Sequence, residues 1–85
     1  MKVVLITAIW CPSCIIMRPR YYQYFKNLNI EINELDFDDD EKEIEKYKIG
    51  RTLPVCIVLN GEEEVIKIIG EKSEKELNKL LSNLK

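Results

Sequence analysis

Cys11 and Cys14, in the stretch Trp10-Cys11-Pro12-Ser13-Cys14, are separated by two residues and follow an apolar run. Two thiols at this spacing can close a small disulfide ring and open it again. One attacks a disulfide sulfur as the thiolate and the other then displaces it, which is dithiol–disulfide exchange. Position matters as much as spacing. Val3 to Ile9 reads as a buried strand and the residues from Pro12 onward as a helix, so Cys11 falls at the seam between them. A helix start presents free N–H groups and the positive end of the macrodipole, and both favour a thiolate. Cys11 is the candidate nucleophile. Cys14, one turn further in, is the candidate resolving thiol.

The rest of the composition removes competing chemistries. The chain has no histidine, so no Ser-His or Cys-His pair can form within it. Three cysteines are one short of a four-ligand zinc site, and their odd number argues against a disulfide scaffold. Cys56, inside an apolar run, reads as a small buried hydrophobe. Net charge is −2, with Lys and Arg scattered among Asp and Glu, which does not suggest a nucleic-acid surface. No apolar run approaches the roughly 20 residues that span a bilayer. Met1-Lys2 before Val3 to Trp10 faintly resembles a short signal peptide, but no small-residue cleavage site follows, and the strand reading is preferred. A cytoplasmic, reducing location is the resulting expectation. No metal or cofactor is expected beyond the cysteine pair itself.

The elements that must position the pair follow from periodicity. Eighty-five residues, 46% hydrophobic and 33% charged, predict one domain over 1–85. Lys2 to Ile9 is the first strand, apolar on both faces as a central strand should be. A helix runs from Pro12 to about Leu28, with Cys14, Met17, Tyr21, Phe25 and Leu28 on one stripe and Pro19 inside it. A second strand runs from about Asn29 to Phe37. Asp40 with Glu43 fits a capping box for a short helix over Glu41 to Lys48, stopped by Gly50. Pro54 to Leu59 is a third strand, Asn60-Gly61 a two-residue hairpin turn, and Glu64 to Ile69 a fourth strand ended by Gly70. Ser73 with Glu76 caps a last helix in which Leu77, Leu80, Leu81 and Leu84 face a core. The order is βαβαββα, an α/β fold with a four-stranded mixed sheet sandwiched by three helices.

With these features in this order the chain resembles the thioredoxin superfamily over nearly its whole length, at the size of the minimal thioredoxin-like fold. Trp-Cys-x-x-Cys after a strand, Pro19 five residues beyond Cys14, Thr52-Leu53-Pro54 before the third strand, and Gly70 after the last carry the resemblance. Pro12 is glutaredoxin-like, whereas Trp10 and Pro19 are thioredoxin-like. The resemblance implies that Pro54 is a cis proline beside the cysteines and that the backbone of Leu53 can pair with an extended substrate. It places Trp10, Pro12, Ser13, Leu53, Pro54 and Gly70 in a substrate-contacting surface. Two departures stand out. Leu5, six residues before Cys11, occupies the place of a buried Asp in thioredoxins, with Glu34 near the place of its partner Lys. Gly70-Glu71-Lys72-Ser73 is all that corresponds to the glutathione-binding Gly-Gly stretch of glutaredoxins.

What the resemblance implies about function is a protein-disulfide reductase, acting as a monomeric thioredoxin-like redox carrier. Its partners would be disulfide-containing target proteins, with a reductase of the thioredoxin reductase type or glutathione as electron donor, and no nucleic acid or membrane. Two alternatives stay open at this point: a glutathione-dependent glutaredoxin, and a non-catalytic module that docks peptides along the Pro54 edge.

Overall fold

The computed structural model describes residues 1–82. Along the chain lie β1 (Lys2–Thr7), α1 (Pro12–Asn27), β2 (Ile32–Asp36), α2 (Glu41–Glu45), β3 (Val55–Asn60), β4 (Glu63–Ile69) and α3 (Glu74–Leu80). The strands form one mixed sheet in the order β2-β1-β3-β4. β1 runs parallel to β2, with Leu5 opposite Glu34, and antiparallel to β3, with Leu5 opposite Cys56. β3 and β4 form the antiparallel hairpin.

β1 is central because its sequence suits burial on two faces. Val3, Val4, Leu5 and Ile6 have no exposed surface, and each such side chain contributes roughly 1.5–3 kcal/mol of transfer free energy. Alternation divides them between two cores. Val3 and Leu5 pack with Met17, Tyr21 and Phe25 of α1 and with Leu77 and Leu81 at α3. Val4 and Ile6 pack on the other face with Ile44 and Tyr47 at α2, and Cys11 and Cys14 join this second core at its end. The sheet therefore lies between α1 and α3 on one side and α2 on the other.

Several boundaries differ from the sequence expectation, each for a local reason. β1 stops at Thr7 rather than Ile9, and Phe37 N–H donates to the Thr7 carbonyl at 2.8 Å as the strands part. β2 starts at Ile32 because Asn29 turns the chain with φ 57°. The capping box expected of Asp40 and Glu43 does not form; the Asp40 carboxylate instead accepts from Asp36 N–H at 2.8 Å. α2 ends at Glu45, not Lys48. Tyr47 and Lys48 donate back to Ile44 and Glu45 in tighter turns, and Lys48 rather than Gly50 takes the left-handed conformation. The hairpin turn is Gly61-Glu62, one residue later than expected, with Asn60 paired to Glu63. Gly61 at φ 67° fills the first central position, where glycine is favoured. A register shift at Val58/Leu59 leaves Val65 as the extra residue of a bulge. In α3 the Ser73–Glu76 capping box forms as expected. Leu77 and Leu81 are buried but Leu80 is exposed, and Leu84 lies outside the described residues.

Candidate active site

Cys11 is the N-cap of α1. Its backbone is extended (φ −95°, ψ 110°), Pro12 opens the helix behind it, and its Sγ accepts the Cys14 N–H at 3.2 Å. That donor, shared with the Cys11 carbonyl at 3.2 Å, belongs to the first turn, whose N–H groups are usually capped by a Ser, Thr, Asp or Asn oxygen. Here a sulfur does the capping. The sulfur thus sits at the end of the helix where N–H groups and the positive end of the dipole point outward. Pro12 costs nothing at this position because its missing N–H would have had no partner. Both sulfurs are recessed, with Cys11 5% and Cys14 2% exposed.

Cys14 differs electrostatically from an ordinary thiol. Burial, its hydrogen bond with Cys11 and the charges of Cys11 and Glu34 push it up to about 12, against a weaker opposing pull from the Ala8 backbone. It is thus held as a neutral thiol at physiological pH. Cys56, by contrast, belongs to the core on the opposite face of the sheet. It is fully buried on β3 against Leu5, and burial pushes its thiol to about 12 as well.

Under Cys14 lies a polar cluster that sequence reasoning did not find. Glu34 accepts from Arg18 Nε at 2.8 and 2.9 Å, from the Tyr22 hydroxyl at 2.7 Å and from Thr7 Oγ1 at 2.8 Å. Arg18 also stacks over Tyr22, 5.3 Å from the ring centre. Burial alone would raise the Glu34 carboxyl, but the hydrogen bonds from Arg18, Tyr22 and Thr7 and the Arg18 charge outweigh it and hold Glu34 below its ordinary value. The only hint in the sequence is Arg18 and Tyr22 four apart on one helix face. Nothing local says that β2 brings a carboxylate to them.

The other residues singled out from sequence surround the pair unevenly. Trp10 is 56% exposed, its indole N–H donating to Asp38 at 2.7 Å and its ring edge-on to Phe37 at 6.1 Å. Pro12 is exposed and Ser13 half-buried. The Leu53–Pro54 bond is cis. Leu53 shares the buried cluster with Cys11 and Cys14, and Ile6 pairs with Val55, which sets Pro54 at the same end of the sheet as the cysteines. Gly70 N–H donates to the Pro54 carbonyl at 2.9 Å, with φ 83°. Leu53, Pro54 and Gly70 are all buried.

A family model described as thioredoxin matches residues 1–83 of this chain. The chain belongs to the thioredoxin family. A thioredoxin H-type of Brassica oleracea is 27% identical over 78 residues, which are 91% of this chain and 63% of that protein. A thioredoxin H-type of Fagopyrum esculentum is 28% identical over 75 residues, 87% of this chain and 64% of the other. The chain thus spans less than two thirds of the length of these plant thioredoxins. Among solved structures, thioredoxin 1 of Thermosipho africanus superposes with a TM-score of 0.86 at 23% identity, covering 99% of this chain and 93% of that one. A thioredoxin-2 of a malaria parasite gives 0.82 at 21% identity, with 96% and 81% covered. At these identities the structures establish the thioredoxin fold. Among the described residues no group of three or more Cys, Asp or Glu side chains could hold a metal ion, and no helix is long and apolar enough to cross a membrane.

Proposed function

We propose that this thioredoxin-family chain is a thiol–disulfide oxidoreductase that reduces protein disulfides through Cys11 and Cys14. The observation that carries the reading is the pairing of two unlike thiols. The Cys11 sulfur caps α1 and faces the Cys14 N–H at 3.2 Å, and the Cys14 thiol beside it is held protonated. Cys11 thiolate attacks one sulfur of a target disulfide; a Cys11–target bond forms and the other target sulfur leaves. Cys14 then loses its proton and attacks Cys11, so that the mixed disulfide breaks and the Cys11–Cys14 bond forms. The protein pair is oxidised by two electrons, the target disulfide is reduced by two, and the released proton ends on a target thiolate. The cysteine pair carries the electrons, so the reaction calls for no cofactor.

Trp10, Pro12, Ser13 and the main chain of Leu53, Pro54 and Gly70 form the surface that receives the target, because all of them gather at the Cys11 end of the sheet. An extended target strand would pair with this edge by backbone hydrogen bonds. A reductase of the thioredoxin reductase type returns the electrons. Residues 1–85 act as one domain and as a monomer, in a reducing compartment such as the cytoplasm. Cys56 supports both points: it is too deeply buried to link a second chain and has no partner for a structural disulfide. In the test, Cys14→Ser should accumulate covalent mixed disulfides with target proteins, visible on non-reducing gels, whereas Cys11→Ser should not. A Cys11→Ser protein with full disulfide reductase activity sinks the reading.

A further inference from the structure

On the β2 side of Cys14, away from Pro54 and Gly70, a hollow of about 520 Å³ opens to the surface. Its lips are apolar and unusually exposed: Ile9 at 90% and Ile15 at 71%. Two large aliphatic side chains left in water at the mouth of one hollow form a patch that asks for a covering group. Its lining is also charged. Arg18, Glu34, Asp36 and Asp40 all line it. Arg18 and Glu34 neutralise each other at 2.8 Å. Asp36 and Asp40 have no cation within salt-bridge distance among the described residues. Their acceptors are engaged by neutral main chain: Asp36 Oδ1 by the N–H groups of Asp38 and Asp39, Asp40 Oδ2 by that of Asp36. Two negative charges, both half-buried, are therefore left uncompensated.

Exposed aliphatic side chains and half-buried carboxylates lining one hollow match one kind of side chain. Lysine and arginine lay an aliphatic stem along apolar surface and carry a cation at its tip. An acidic side chain would meet repulsion, and a purely apolar one would cover the lips but leave both carboxylates without a counter-charge. The hollow also borders Cys14, so whatever fills it lies within a few residues of the cysteine being attacked. We infer that this hollow receives a lysine or arginine side chain of the disulfide-bearing target segment, its stem between Ile9 and Ile15 and its cation at Asp36 and Asp40. The inference rests on the reductase reading above and adds a substrate class to it: targets with a basic residue near the reactive disulfide.

The test uses the full chain, kept reduced by dithiothreitol, and synthetic peptides with one intramolecular disulfide. Lysine, norleucine or glutamate is placed in turn at each position flanking the cysteines, and kcat/KM is measured at low and high salt. Norleucine keeps the stem and removes the charge. At one position lysine should exceed norleucine by about fivefold at low salt, the size expected of a partly exposed ion pair, with glutamate slowest. Raised salt should bring that ratio toward one. The Asp36→Asn, Asp40→Asn double variant keeps acceptor oxygens for the main chain and should also bring it toward one. Equal rates for lysine and norleucine at every position would overturn the inference. So would a lysine preference that persists in the double variant; should that variant not fold, persistence in high salt counts the same way. Reduction of none of the peptides would instead overturn the reductase reading, and the substrate class with it.

Discussion

Raising the pH should keep lowering the reduction potential of the Cys11–Cys14 pair well past the point where an ordinary thiol stops responding. Reducing the disulfide returns a proton to Cys14 for as long as that thiol stays protonated. Each such proton lowers a two-electron potential by about 30 mV per pH unit. Burial, the hydrogen bond with Cys11 and the charges of Cys11 and Glu34 push Cys14 from 9.0 to about 12. A thiol of ordinary proton affinity would cease to contribute above about pH 9, while Cys14 continues for about three more units. At about pH 11 the potential should therefore lie about 60 mV below the value an ordinary thiol at this position would give. The assay equilibrates the protein with dithiothreitol buffers of known potential from about pH 7 to about pH 11. Acid quenching, alkylation and mass spectrometry count the thiols, and circular dichroism confirms the fold at each pH. A potential that levels off just above pH 9 would refute the account of Cys14. Glu34→Gln removes one of the charges that hold the proton, so at about pH 11 its potential should lie above that of the unsubstituted protein. Equal potentials there would remove Glu34 from the explanation.

Three further outcomes follow from burial and capping. Cys56 is raised from 9.0 to about 12, so its contribution to stability is complete below pH 9 and is lost as pH rises toward 12. By about pH 10.5 the protein should have lost about 2 kcal/mol more than Cys56→Val has, as read by urea titration; equal losses would mean that Cys56 is not the inert core thiol described here. The Tyr21 hydroxyl is buried with no hydrogen-bond partner among the described residues. Tyr21→Phe should therefore stabilise the protein by about 1 kcal/mol and raise Tm by about 4–8 °C in calorimetry, whereas a fall in Tm would reveal a missed partner. Ser73 and Glu76 cap α3 reciprocally. Ser73→Ala should cost about 1 kcal/mol in the same measurement, with Leu77 and Leu81 loosened from the core; no change would show that α3 is held by packing alone.

The sequence by itself determined the element order and most of the side chains that each element buries, and it singled out Cys11 and Cys14 as the candidate pair. Those features rest on local physics. A continuous apolar run buries Val3 to Ile6 and a period-3.6 stripe buries Cys14, Met17, Tyr21 and Phe25, while Pro12 marks a helix start by its missing N–H and Ser73 by a bond within three residues. It misplaced ends that depend on competition for one group. Asp40 could have capped α2, but the Asp36 N–H claimed its carboxylate, and Lys48 took the left-handed turn expected of Gly50. Only the tertiary structure decided what surrounds Cys14. The parallel pairing of β1 with β2 sets Leu5 opposite Glu34 and carries that carboxylate to Arg18, Tyr22 and Thr7, residues 12 to 27 positions away. The same pairing brings Asp36 and Asp40 into one hollow with Ile9 and Ile15. Charges and hydrogen bonds between distant segments leave no periodic trace in a chain, because they are selected by register and crossing geometry rather than by the spacing of residues along it.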